Sequence, residues 1–245
     1  MRTSTFETLI DLNNRGVDLL TSGNIESASN HFRTALCMLE AVLKRTIAKA
    51  PRRNLMTYIS AKKEAASAGN DASPQPSRPA QQGAASLSST LDQSSRFYVS
   101  TKPVKIVPMN RLNKEVRASF ATTAISFNLA LSFHLLSLKS SVKTCSYRRS
   151  AIAFYKVAFN LRLKFAKRSS APSGTMALLD LIIIHNLAVL HHQAGNEGHA
   201  RDCFERLIFQ IHKLDDELAT EATGFVANLS VMGLSARSLP AAAAA

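Results

Sequence analysis

The chain has 245 residues, 46% of them hydrophobic, with no Trp, nine Gly and a formal net charge of +13. That is ample apolar material for a packed core, but Val, Ile and Thr seldom alternate while Ala, Leu and Ser abound, which excludes a sheet protein and predicts an all-α one. Three cysteines, at 37, 145 and 203, are odd in number and widely spaced; they exclude a disulfide framework and a paired-cysteine metal site, and they suit a reducing compartment, cytoplasmic or nuclear.

In chain order, residues 1–63 open with MRTSTFETLIDLNNRG, where Glu7 and Asp11 interrupt the apolar positions. This reads as folded protein rather than as a leader peptide, and it begins an N-terminal helical hairpin. Residues 64–96 form a Ser/Pro/Ala-rich insert with prolines at 74, 76 and 79 and almost nothing to bury, so disorder is expected there. Residues 97–114 begin FYVSTKPVKIVP, alternating apolar and polar between two prolines; the pattern predicts an extended arm laid along the fold, with weak strand character.

A second hairpin is expected over 115–168. It carries a basic helix, since no acidic residue occurs between Glu115 and Asp180. A third spans 169–222 and contains the most apolar run, MALLDLIIIHNLAVL at 176–190, which Asp180, His185 and Asn186 interrupt. That run falls short of the ~20 residues a membrane span requires and is expected to be a core helix. The tail 223–245 ends in SLPAAAAA, which has no tertiary anchor beyond its Pro and is expected to fray.

Three stretches share a spacing. In the third hairpin Ile184, Ala188, His191, Ala200, Phe204 and Leu207, with Leu187 beside Ala188, are spaced as are Leu12, Gly16, Leu19, Ala28, Phe32 and Ala35 in the first, and Gly23-Asn24 matches Gly195-Asn196 at the turn. Gly16 to Ala28 is twelve residues, and so is Ala188 to Ala200. Small residues at those places let two helices approach, while the larger ones fill the holes beside them. The turn dipeptide is expected to end the first helix and cap the second. In the middle copy Leu129, Ala130 and Phe133 precede Ala151, Tyr155 and Ala158, and the gap from Ala130 to Ala151 is twenty-one, nine longer. The extra residues are expected in a basic, Ser-rich loop, SLKSSVKTCSYRR.

These offsets resemble the tetratricopeptide repeat family. The NLA of 128–130 and 186–188 is most similar to the longer-helix variety found in kinesin light chains and similar adaptors. The resemblance implies antiparallel hairpins in a right-handed superhelix, interrupted by the insert. It also implies a concave groove that binds a peptide without catalysis, as a protein–protein interaction scaffold.

On the family pattern the groove carries Asn14, Asn128 and Asn186, each two places before the small residue. In many members this asparagine bonds the main chain of the bound peptide; bridging neighbouring helices is the equal alternative. Beside them Phe127, Leu131, His134, His185, Val189 and His192 are expected on the same face, with Ile10, Asn13, Val17, Ala124 and Ile182. Asn13 and Val17 stand where the chaperone-binding members carry carboxylate-gripping groups, so the implied ligand is an apolar or amphipathic protein segment.

Other chemistries compete less well. His191, His192, His199 and Cys203 are the right types for zinc, but their spacing matches no compact zinc signature. Without a Walker loop, GxSxG, HExxH or paired carboxylates, neither enzyme, cofactor nor metal is predicted. The basic helix is the serious competitor: at 100° per residue Arg149, Lys156 and Lys167 fall within about 20°, flanked by Lys164 and Arg168. Such a ridge is a solvated face or a binder of nucleic acid or an anionic surface.

Overall fold

The computed structural model describes residues 5–47, 99–107, 114–166 and 174–212, with Phe225 and Asn228. Among these residues the protein is all-helical, without a strand: α1 (Thr5–Thr21), α2 (Ile25–Ile47), α3 (Lys114–Lys139), α4 (Thr144–Ala166), α5 (Gly174–Gln193) and α6 (Glu197–Ile211). Consecutive helices pack as hairpins, α1 on α2, α3 on α4 and α5 on α6. The chain divides into two compact units, one made of Met1–Asp71 with Thr101–Pro172 and the other of Ala72–Ser100 with Ser173–Ala245. The insert expected at 64–96 lies outside the described residues, as does the tail expected at 223–245 apart from Phe225 and Asn228.

In the first unit α1 buries Leu9, Ile10, Asn13, Gly16, Val17 and Leu20, the recurrence at three and four residues that puts one stripe against the core. Gly16 is set by close approach: a Cβ there would stand 2.5 Å from the ring of Phe32 on α2. The helix ends at Gly23, whose φ of +84° only glycine adopts cheaply. The Asn24 N–H then bonds the Leu19 carbonyl and the Gly23 N–H that of Leu20, so two otherwise unpaired carbonyls are satisfied. The Asn24 side chain caps α2 through the Ser27 N–H at 3.4 Å.

Helix α3 packs against α1, α2 and α4 and over residues 121–134 is buried on every side. Ala121, Ala124, Ile125, Phe127, Leu129, Ala130, Leu131 and Phe133 are interspersed with equally buried Thr122, Thr123, Ser126, Asn128, Ser132 and His134. Several hydroxyls turn back on their own helix: Thr123 donates to the Ser119 carbonyl and Ser132 to that of Asn128, each at 2.9 Å, so small polar residues enter the core with a partner. Val116–Lys139 is long and apolar enough to cross a membrane, but 89% of its most apolar window is buried inside the fold, as in a core helix.

The long basic loop expected in the second hairpin is not there. Only Ser140, Ser141, Val142 and Lys143 separate α3 from α4. Relative to the other two hairpins the nine extra residues lengthen each helix by four and the turn by one. Four residues is close to one turn, so the added lengths keep roughly the same faces together. They also bring Phe133 between Tyr147 and Phe154, with ring centroids 6.2 and 5.9 Å away, an apolar contact that a loop would forgo.

In the second unit Ala188 of α5 and Ala200, Phe204 and Leu207 of α6 are fully buried. The turn repeats the first one: Gly195 has φ +73°, Asn196 N–H bonds the His191 carbonyl and Gly195 N–H that of His192, each at 2.9 Å. Asn196 departs from expectation, since its side chain makes no capping bond; only its carbonyl joins the helix, accepting from Ala200 N–H at 3.0 Å.

Candidate functional site: asparagine amides on an extended arm

Residues 99–107 are neither helix nor strand; side-chain amides hold them. In the first unit Asn128 Oδ1 accepts from the Val104 N–H, and Asn128 Nδ2 donates to the Val104 carbonyl, both at 2.8 Å. Two residues on, Asn14 does the same to Ile106, Oδ1 accepting from its N–H and Nδ2 donating to its carbonyl, each at 2.9 Å. A residue's N–H and C=O reach one amide only when both point the same way, as in extended backbone, and positions two apart then share an edge. Pro103 fits this arrangement. It lies on the alternate edge, where no N–H is required, and it fixes φ near −65° while steering Lys102 to extended geometry.

Asn13 locks the pair together. Asn128 Nδ2 also donates to Asn13 Oδ1 at 2.9 Å, while Asn13 Nδ2 reaches the Val104 carbonyl and Asn14 Oδ1, both at 3.1 Å. Asn128 therefore bridges α3 to α1 and at the same time holds the main chain of the protein's own arm. Asn13 and Asn128 are fully buried, and of the arm's side chains Ile106 is buried while Val107 is exposed. Lys105 points to solvent and pairs with Asp18 at 2.7 Å.

In the second unit Asn186 holds Ser100 in the same two-bond manner, accepting from its N–H at 3.1 Å and donating to its carbonyl at 3.0 Å. The amide is oriented from behind. Asn228 Nδ2 stands 2.7 Å from His185 Nε2, and His185 Nδ1 lies 3.2 Å from Asn186 Oδ1. Since Nε2 must accept from an amide N–H, Nδ1 carries the ring proton and donates. Phe225 covers the ring at 4.7 Å between centroids. Burial lowers the His185 pKa from 6.5 to about 4 against the opposing bond from Asn186, which keeps it neutral in this chain of bonds.

The other expected groove residues do not form an open floor. Phe127 and His134 are fully buried and both rings rest on Tyr155 of α4, at 5.8 and 6.2 Å, so they belong to the interior of the second hairpin. Leu131 and Val189 are fully buried too. His192 sits at the turn, 3.0 Å from Glu197. The physical reason is that α3 over residues 121–134 and α5 over residues 181–191 are buried on every face, leaving no side of those stretches for a free lining.

On α4 Arg149, Lys156 and Lys164 are exposed; Lys167 and Arg168 lie outside the described residues. His191 stacks on His199 at 5.1 Å, and among the described residues no three His, Cys, Asp or Glu side chains gather where they could hold a metal ion.

The fold and site define an all-helical protein whose hairpins hold an internal extended segment by asparagine amides. Compared with known proteins, the chain matches no family model, no curated protein and no solved structure.

Proposed function

We propose that the protein is a non-enzymatic scaffold of tetratricopeptide type that binds an extended protein segment through its asparagines. The carrying observation is the two-bond grip of Asn14 on Ile106 and of Asn128 on Val104. It addresses only main-chain groups and so is not tied to one side-chain sequence. The repeat reading is supported by burial at matching offsets, where Ala28 and Phe32, Ala151 and Tyr155, and Ala200 and Phe204 are all fully enclosed. Cys37, Cys145 and Cys203 form no disulfide, which suits a cytosolic or nuclear setting.

Selection of displayed random peptides tests this, with the Asn14→Ala/Asn128→Ala double variant as counter-selection. Enriched peptides should bind equally at 50 and about 200 mM salt, because the grip is not phosphate-driven. A second reading rests on the exposed Arg149, Lys156 and Lys164. Salt-sensitive RNA binding, lost when these three become Glu and unmoved by the asparagine changes, would put the site on α4 instead.

A further inference from the structure

We infer that residues 101–107 are a resident copy of the ligand the first unit recognises. The partner is then an extended, basic-aliphatic segment of the pattern Pro-Val-Lys-Ile that enters by exchange with the arm. This rests on the peptide-binding reading and gives its site a register.

The bonds set what a partner must carry. Two N–H groups two residues apart face Asn128 and Asn14, so proline is barred at those two places and allowed immediately before them, where the arm has Pro103. The second position must be aliphatic, because Ile106 is 2% exposed and a polar group there would be stranded. Between them a cation faces Asp18, as Lys105 does at 2.7 Å. Both partners of that ion pair are more than half exposed, so it selects register and charge rather than supplying much affinity.

Exchange is reasonable on the same grounds. An incoming segment of this pattern remakes the four bonds from Asn14 and Asn128, the one from Asn13 to the Val104 carbonyl and the ion pair with Asp18. The arm's advantage is then its high effective concentration as a tethered competitor.

The test uses the full chain and a labelled nonapeptide, VSTKPVKIV, copied from residues 99–107. Ile106→Asp places a carboxylate in the arm's buried position and should free the groove, so this chain should bind the peptide at least tenfold more tightly than the unaltered one. A peptide with proline at the place of Val104 should not bind either chain. A second measurement leaves Ile106 intact: with Cys37, Cys145 and Cys203 changed to Ser, Asp18→Cys and Lys105→Cys are joined by a short bismaleimide. Locking the arm this way should cut peptide binding at least tenfold below that of the same double-cysteine chain before linking, a comparison in which the loss of the Asp18 carboxylate cancels.

Equal binding by locked and unlinked chains overturns the exchange while leaving a peptide site elsewhere. Absence of binding to the Ile106→Asp chain, with helicity unchanged by circular dichroism, overturns both the exchange and the peptide-binding reading.

Discussion

Asn128 and Val104 exchange two hydrogen bonds of 2.8 Å, a side-chain amide standing in for the neighbouring strand that the extended arm lacks. Because the same amide nitrogen also reaches Asn13 at 2.9 Å, one residue of α3 ties α1 and the arm together. Asn128→Ala should therefore leave the Val104 N–H without its acceptor and Asn13 without its donor, at a cost of roughly 1–3 kcal/mol. Urea unfolding gives the magnitude, and hydrogen exchange at Val104 gives the place. Unaltered protection of that amide would mean the arm is held by something else.

Gly16 and Phe32 offer a test of helix approach. Gly16→Ala drives a methyl group into the Phe32 ring, 2.5 Å away and fully buried, and should destabilise by about 1–3 kcal/mol. Phe32→Leu in the same chain should recover part of that loss, a non-additivity expected of touching residues. Gly198, on α6 with open space around it, should show the opposite sign when changed to Ala, a gain of up to about 1 kcal/mol from helix propensity.

The turn glycines separate conformation from crowding. Nothing lies within 4 Å of a Cβ built on Gly195, yet its φ is +73°, so Gly195→Ala should cost on the order of 1 kcal/mol by backbone strain alone. Gly195→Asn should cost less, because asparagine tolerates that region better. Thermal melts of the two variants rank them, and the reverse order would contradict the conformational account.

His185 makes stability depend on pH in a stated direction. Its pKa is about 4 in the fold against 6.5 ordinarily, so between those values the unfolded chain binds a proton that the folded one refuses. Stability is full above about pH 6.5 and falls as pH drops toward 4, by roughly 3 kcal/mol across the window. His185→Gln should flatten this part of the profile. Parallel pH profiles for both proteins in chemical denaturation would rule out His185 as the group responsible.

Part of this protein is legible in its sequence because part of its physics is local. Helix content follows from the abundance of Ala and Leu, the hairpin turn from Gly23 and Gly195, and the matching small and aromatic positions from spacing alone. The arm's extended course could be anticipated from its prolines and alternation, while Asn14, Asn128 and Asn186 are drawn out by the family resemblance as groove residues, not as partners of the arm. What no local pattern encodes is partnership over distance. Val104 meets Asn13 across 91 residues, Ile106 meets Asn14 across 92, and His185 meets Asn228 across 43. A main-chain N–H carries no sequence signature, so only tertiary structure could pair these amides with the chain's own arm. The same holds for Phe127 and His134: a helix enclosed on every side has no periodicity to distinguish groove from core, and the packing of α4 against α3 decided that both rings face Tyr155.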